Sequence, residues 1–180
     1  MTYEELKQML DEKEKIEYPK IGYIEKNPRY ANMLYDDLSG EIGELSAVTQ
    51  YVYEHMNIND NSNISRIMLL IAIEEMKHLN MIGELIKKLG KNPYFISSNG
   101  EEWKSGNVNY NLGNLYETMK YNINTEEVAI RGYRKAMINT RNMQIRRLLS
   151  RIILDEETHI KIFRKIMEDS IKKWVKVKYG

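Results

Sequence analysis

The stretch Met68-Leu-Leu-Ile-Ala-Ile-Glu-Glu-Met-Lys-His78 decides how this chain is read. Its apolar residues recur at helical spacing, and Glu75 lies in the middle of the stripe: Met68, Ile71, Leu79, Ile82 and Ile86 stand at −7, −4, +4, +7 and +11 from it. A carboxylate set among core residues needs a partner, because an unpaired buried charge is costly. Three positions on, His78 falls on the same helical face one turn later. The arrangement occurs again near the C-terminus. Glu156 is flanked at the same offsets by Leu149, Ile152, Ile160, Phe163 and Met167, and His159 follows it by three. Each Glu-x-x-His can offer one oxygen and one nitrogen to a metal ion.

Two more carboxylates belong to this pattern. Leu115, Met119, Ile130, Tyr133 and Met137 share the face of Glu126, whereas Glu127 points about 100° away, onto a solvated face. Further upstream the choice stays open: Glu41 and Glu44 both border a stripe of Leu34, Leu38, Leu45, Val48, Val52 and Met56, and periodicity alone slightly favours Glu41. Tyr51 and Tyr133 stand seven residues beyond Glu44 and Glu126. There a phenol could hydrogen-bond a ligand or relay an electron, or simply pack as a core tyrosine with its hydroxyl satisfied. His55 reads as an ordinary helix-end histidine, with a place beside the site or its entry as the alternative. Four ionised glutamates carry a charge that two divalent ions would neutralise, with neutral His78 and His159 supplying one nitrogen each. Iron, first, or manganese suits so oxygen-rich a donor set, whereas zinc or copper would more often recruit sulfur or more imidazole.

These residues sit on four helical patterns, roughly 29–56, 64–89, 111–139 and 142–170. Leu89-Gly90-Lys91-Asn92-Pro93 is a helix stop, with Gly for a left-handed cap and Pro unable to continue. Short connections predict that the first pair and the last pair are antiparallel hairpins. The Pro-, Gly-, Ser- and Asn-containing stretch from about 91 to 110 is long enough to cross the length of a bundle. The expected fold is therefore all-α, a four-helix bundle over 29–170 made of two hairpins and one long crossover. Residues 1–28 read as an N-terminal extension: a short amphipathic helix, then a connector containing Tyr18-Pro19 and Asn27-Pro28. Residues 171–180 read as a basic C-terminal tail that either extends the last helix or frays from it.

Composition narrows the function. A chain of 180 residues, 42% hydrophobic and 29% charged, suits one domain with a sizeable core. With 27 basic against 26 acidic residues, the net charge of +1 recruits neither nucleic acid nor an anionic membrane. The absence of cysteine excludes disulfides, thiolate nucleophiles, Fe–S clusters and Cys-based zinc sites. No long apolar run or leader pattern is visible, so the cytoplasm is the expected location.

One Glu on each of two helices and Glu-x-x-His on each of the other two resembles the ferritin-like di-metal carboxylate superfamily over roughly residues 30–168. Glu44-Leu-Ser-Ala-Val-Thr-Gln-Tyr51 and Glu75-Met-Lys-His78 are similar to segments of bacterioferritin. Glu126-x-x-Ala129-Ile130-x-x-Tyr133 and Asp155-Glu156-Glu157-Thr158-His159 resemble rubrerythrins and manganese-catalase-like proteins. The resemblance favours Glu44 over Glu41 and implies that Glu44, Glu75, His78, Glu126, Glu156 and His159 hold two metal ions, with Glu75 and Glu156 bridging. It implies a non-haem di-iron oxidoreductase acting on dioxygen or hydrogen peroxide. The alternatives are a manganese catalase-like enzyme and a storage or structural bundle. Two departures stand out: no cysteines for a rubredoxin domain, so that any electron donor is a separate protein or the substrate, and Ala129 where rubrerythrins carry an extra carboxylate. Met76 matches the haem-ligating position of bacterioferritins, but methionine on such a helix is ordinarily packing, and haem is not expected. A homo-oligomer, a dimer or larger, is expected.

Overall fold

The computed structural model describes residues 2–58, 62–111 and 113–179, with side chains for all of these except 62 and 173–179. Helices dominate: α1 (Tyr3–Glu14), α2 (Pro28–Ser39), α3 (Glu44–Asn57), α4 (Ser62–Lys88), α5 (Leu115–Ile138) and α6 (Met143–Tyr179). A single isolated bridge, Ile96 to Glu102, is the only extended pairing among the described residues. None of these helices is long and apolar enough to cross a membrane.

The long helices are antiparallel in pairs, as cross-contacts show. Glu44 lies near His78 while His55 meets Ser65, so α3 and α4 run in opposite directions. Arg164 meets Glu127 and Arg134 meets Glu157, so α5 and α6 do the same. Between the pairs, the crossover runs along α2 and α3. It is tied down by Ser39 Oγ to the Ile96 carbonyl (3.0 Å), Ser98 N to Asp36 Oδ1 (2.7 Å) and Trp103 Nε1 to Ser46 Oγ (3.0 Å). The stop after α4 forms as the sequence predicts. Gly90 adopts φ +94° and Lys91 N donates to the Ile86 carbonyl, a left-handed cap that L side chains rarely adopt.

The first long helix differs from the expected 29–56. It is two helices, α2 and α3, separated by Gly40-Glu41-Ile42-Gly43. Glycine is required here, because a Cβ on either Gly40 or Gly43 would lie 2.6 Å from the Asp36 carbonyl oxygen. The break shifts the helical phase. Leu34 and Leu38 are buried as expected, but beyond the break Leu45, Val48 and Val52 are only partly buried and Met56 is exposed. The inward face of α3 is instead Glu44, Gln50, Tyr51 and Glu54. Downstream, α5 begins at Leu115 rather than 111, where the Asn114 side chain caps Glu117 N. Residues 171–179 continue α6 without interruption, and Gly180 lies outside the described residues.

Two apolar clusters fill the bundle on either side of the buried polar centre. One joins α2, the C-terminal half of α4, the end of α5 and the first half of α6, with Leu34, Leu38, Ile82, Leu149 and Ile152 fully buried. The other joins the N-terminal half of α4 to the second half of α6 around Ile67, Met68, Ile71 and Phe163. Leu6 and Leu10 of α1 belong to this second cluster, so the N-terminal helix is part of the core. Met76 is not packing: it faces outward on α4, 46% exposed.

Candidate metal centre

The uninterrupted helices α4 and α6 bring Glu75, His78, Glu156 and His159 together at the middle of the bundle, all buried. Glu126 on α5 and Glu44 at the first turn of α3 close the cluster from the other two sides. All six sequence-predicted candidates thus meet. Glu41 does not, since the α2–α3 break leaves it exposed and turns Glu44 inward.

The donors sort into two sets of four: Glu44, Glu75, His78 and Glu156, and then Glu75, Glu126, Glu156 and His159. Within each set, one ligand atom per residue lies within 4.8 Å of all the others. His78 Nδ1 is 3.1 Å from Glu75 Oε2, 3.1 Å from Glu156 Oε1 and 3.7 Å from Glu44 Oε2. His159 Nδ1 is 2.9 Å from Glu75 Oε1, 3.0 Å from Glu156 Oε2 and 3.5 Å from Glu126 Oε1. Glu75 and Glu156 therefore offer one oxygen to each side, whereas Glu44 and Glu126 each serve one side.

The cluster is short of positive charge. Burial pushes the Glu44 carboxyl well up, and the Glu75 charge adds to it. Burial, then the Glu156 and Glu75 charges, carries Glu126 up to about 8. The histidines respond in the opposite sense. Burial alone would depress them, yet the surrounding carboxylates hold His78 and His159 well above the usual imidazole range. Burial also works against Glu75, but His159 and His78 outweigh it and keep that carboxyl low. Carboxylates and imidazoles thus shift in the directions that favour positive charge at the centre of the cluster. Apart from the imidazole nitrogens already named, Glu44 Oε2, Glu75 Oε1 and Glu156 Oε1 are buried with no hydrogen-bond donor. An orphaned buried acceptor of this kind costs roughly 1–3 kcal/mol, and more when charged. Carboxylate oxygens and imidazole nitrogens in this arrangement fit two divalent ions.

The outward imidazole nitrogens are held reciprocally. His78 Nε2 donates to Asp155 Oδ2 (3.2 Å), and Asp155 immediately precedes Glu156 on α6. His159 Nε2 donates to Glu74 Oε2 (3.0 Å), and Glu74 immediately precedes Glu75 on α4. Such carboxylates fix the tautomer, so that Nδ1 is free for a metal. Helical periodicity alone puts Glu74 and Asp155 off the inward face and does not reveal them. The signal was present as an acidic residue directly before the glutamate of both Glu-x-x-His motifs. Burial works against ionising Asp155, but hydrogen bonds from His78 and Arg151 hold it below its usual range.

Tyr51 donates a short hydrogen bond to Glu126 Oε1, across to the opposite helix pair, and lies against Phe163 with ring centroids 5.5 Å apart. Burial and the Glu126 charge push its phenol well up, so it remains a donor. Tyr133 is equally buried, but its hydroxyl has no partner. His55 lies at the far end of α3 with its Nδ1 2.8 Å from the Ser65 carbonyl oxygen. A cavity of about 30 Å³ opens on the cluster between α3 and α5, bordered by Gln50, Tyr121, Ala129 and Tyr133. It has room for a molecule about the size of water or peroxide. Ala129 leaves open the space that a further carboxylate would fill.

In fold and in donor set the chain is similar to the ferritin-like di-metal carboxylate superfamily, with manganese catalases and bacterioferritins among its structural neighbours. More particularly, the family described as "Manganese containing catalase" matches residues 9–95. A probable manganese catalase of Clostridium acetobutylicum is 24% identical over 177 residues, covering 87% of this chain and 78% of the relative. The crystal structure of a manganese catalase from Anabaena superposes with a TM-score of 0.77 at 28% identity, over 86% of this chain and 77% of that one. A bacterioferritin of Desulfovibrio desulfuricans superposes with a TM-score of 0.65 at 25% identity, over 78% of each chain.

Proposed function

We propose that the protein is a manganese catalase-like oxidoreductase that converts two molecules of hydrogen peroxide into dioxygen and two waters. The observation that carries this reading is the pair of four-donor sets sharing Glu75 and Glu156. Glu44, Glu75, His78 and Glu156 would hold one ion, and Glu75, Glu126, Glu156 and His159 the other. A pair of redox-active ions held there would supply the two electrons that reduce one peroxide and would recover them from the next. The chain's own residues shape the rest. The cavity above the cluster limits access to small oxidants. The Tyr51 hydroxyl keeps Glu126 oriented, and the unpartnered Tyr133 hydroxyl offers a donor to a peroxide oxygen in the cavity.

The sequence alone ranked iron and a ferroxidase or peroxidase first. The matches to manganese catalases support manganese and disproportionation instead. Disproportionation also needs no separate electron-donor protein. A second reading, di-iron chemistry with dioxygen, draws on the bacterioferritin relative, which is 29% identical over 130 residues, covering 68% of this chain and 67% of its own length. An oxygen electrode separates the two. Manganese-loaded protein should release dioxygen from peroxide with no reductant present. Dioxygen consumption by Fe(II)-loaded protein, with no release from the manganese form, would overturn the proposal in favour of the second reading.

A further inference from the structure

The two halves of the candidate centre match in their inner donors and differ in what stands behind them. Behind His159, Glu74 Oε2 accepts from Nε2, and the other oxygen of Glu74 is buried without a partner. Behind His78, Asp155 is braced from a distant part of the chain. Tyr18 Oη donates to Asp155 Oδ2 (2.7 Å), the oxygen that also accepts from His78, and itself lies 3.5 Å from His78 Nε2. Its ring meets the imidazole edge-on, centroids 6.2 Å apart. Arg151 grips the other oxygen, Oδ1, and lies against the Tyr18 ring, with Cζ 4.4 Å from its centroid. The remaining guanidinium donors reach the segment leading to Tyr18: Nε donates to the Ile16 carbonyl and Nη2 to the Lys13 carbonyl, both at 2.8 Å. Leu6 and Leu10 anchor α1 in the core, and Glu14 pairs with Lys77 of α4 at 2.7 Å.

We infer that residues 13–18 form a strap completing the surroundings of the His78 metal position, and that Tyr18 is a positioning residue acting on His78 through Asp155. This rests on the two-metal reading of the site. A carboxylate that accepts from a ligand imidazole sets the ring's orientation and its strength as a donor, and loss of such a partner typically costs 10–100-fold in metal affinity. Tyr18 and Arg151 together fix the carboxylate plane and spread its charge. Glu74 has neither brace. The two metal positions are therefore unequal, and the hydrogen-bonded strap from the N-terminal segment reaches the one at His78.

The test is Co(II) binding, followed by calorimetry and by the visible bands of the bound ion, in the whole 180-residue chain. In a His159→Ala background, where the His78 position dominates binding, Y18F should weaken Co(II) about ten-fold and shift its bands. In a His78→Ala background the same substitution should change neither. R151K should follow Y18F, and E74Q should show the reverse pattern. Y18F removes one hydroxyl, and an unchanged circular dichroism spectrum checks that the variant folds. Equal losses in both backgrounds would reduce Tyr18 to a general structural contact and overturn the inference. So would no loss in either. Fewer than two ions bound by the wild type would instead sink the two-metal reading, and this inference with it.

Discussion

Glu75 and Glu156 face each other across α4 and α6, and each places one carboxylate oxygen about 3 Å from Nδ1 of His78 and the other about 3 Å from Nδ1 of His159. Neither residue belongs to one half of the centre. Glu44 and Glu126 do, at 3.7 Å from His78 and 3.5 Å from His159.

That difference predicts how metal content responds to substitution. Glu75→Gln or Glu156→Gln removes a donor from both positions and should strip both ions at ordinary metal concentrations. Glu44→Gln or Glu126→Gln should leave one tightly held ion per chain. Elemental analysis after desalting counts them. Loss of two ions from the Glu44 variant would show that the sharing seen in the geometry is not what holds the metal.

A second prediction concerns the break between α2 and α3. A methyl group on Gly43 would meet the Asp36 carbonyl oxygen at 2.6 Å and backbone nitrogens of Ser39 and Gly40 at 2.9 Å, none of which can swing aside. G43A should therefore destabilise the fold by about 1–3 kcal/mol, as overpacking does. It should also lower occupancy at the His78 position, because relieving the clash rotates the first turn of α3 that presents Glu44. Thermal unfolding and metal analysis of the same sample check both halves. A destabilised variant with full metal content would separate the break from the placement of Glu44.

How much of this was legible in the sequence depended on continuity. Glu75, His78, Glu156 and His159 lie on helices α4 and α6 that run unbroken, so offsets of three, four and seven keep their meaning along the whole stretch. Glu44 could not be reached that way. Counting through Gly40-Glu41-Ile42-Gly43 as helix carried the stripe onto Leu45, Val48 and Val52 and slightly favoured Glu41. Two close glycines were the local hint that the phase resets. Glu74 and Asp155 are neighbours of recognised ligands but act on the opposite helix, a relation that needs the α4–α6 register. Tyr18 carried no signal. It sits in an extended connector, and its partner Asp155 is 137 residues away.

The buried Glu54 offers a pH test outside the metal cluster. Gln50 Nε2 donates to its Oε1 (2.9 Å) and Asn122 Nδ2 to its Oε2 (2.7 Å), yet burial dominates and carries its carboxyl up to about 7. Between an unfolded value near 4.5 and about 7, the folded state binds more protons than the unfolded one. Its contribution to stability is therefore intact below the unfolded value and is lost as pH rises to about 7, by at most roughly 3 kcal/mol. Glu54→Gln should flatten that part of the stability profile. Asn122, whose Oδ1 has no hydrogen-bond partner, can turn its amide to accept from the new side chain. Denaturant unfolding at pH 5 and pH 8 measures the difference. A wild-type slope that persists unchanged in the variant would assign the dependence to other groups.

Two metal ions that share Glu75 and Glu156 should be magnetically coupled, and electron paramagnetic resonance of protein loaded with two Mn(II) per chain reads that coupling. Ions bridged by two carboxylates sit about 3.5–4 Å apart. Exchange coupling should then give the broad multiline spectrum of a manganese pair, lost in the Glu156→Gln variant. A six-line spectrum of isolated Mn(II), accounting for all the bound metal in the wild type, would show that Glu75 and Glu156 do not bridge two ions.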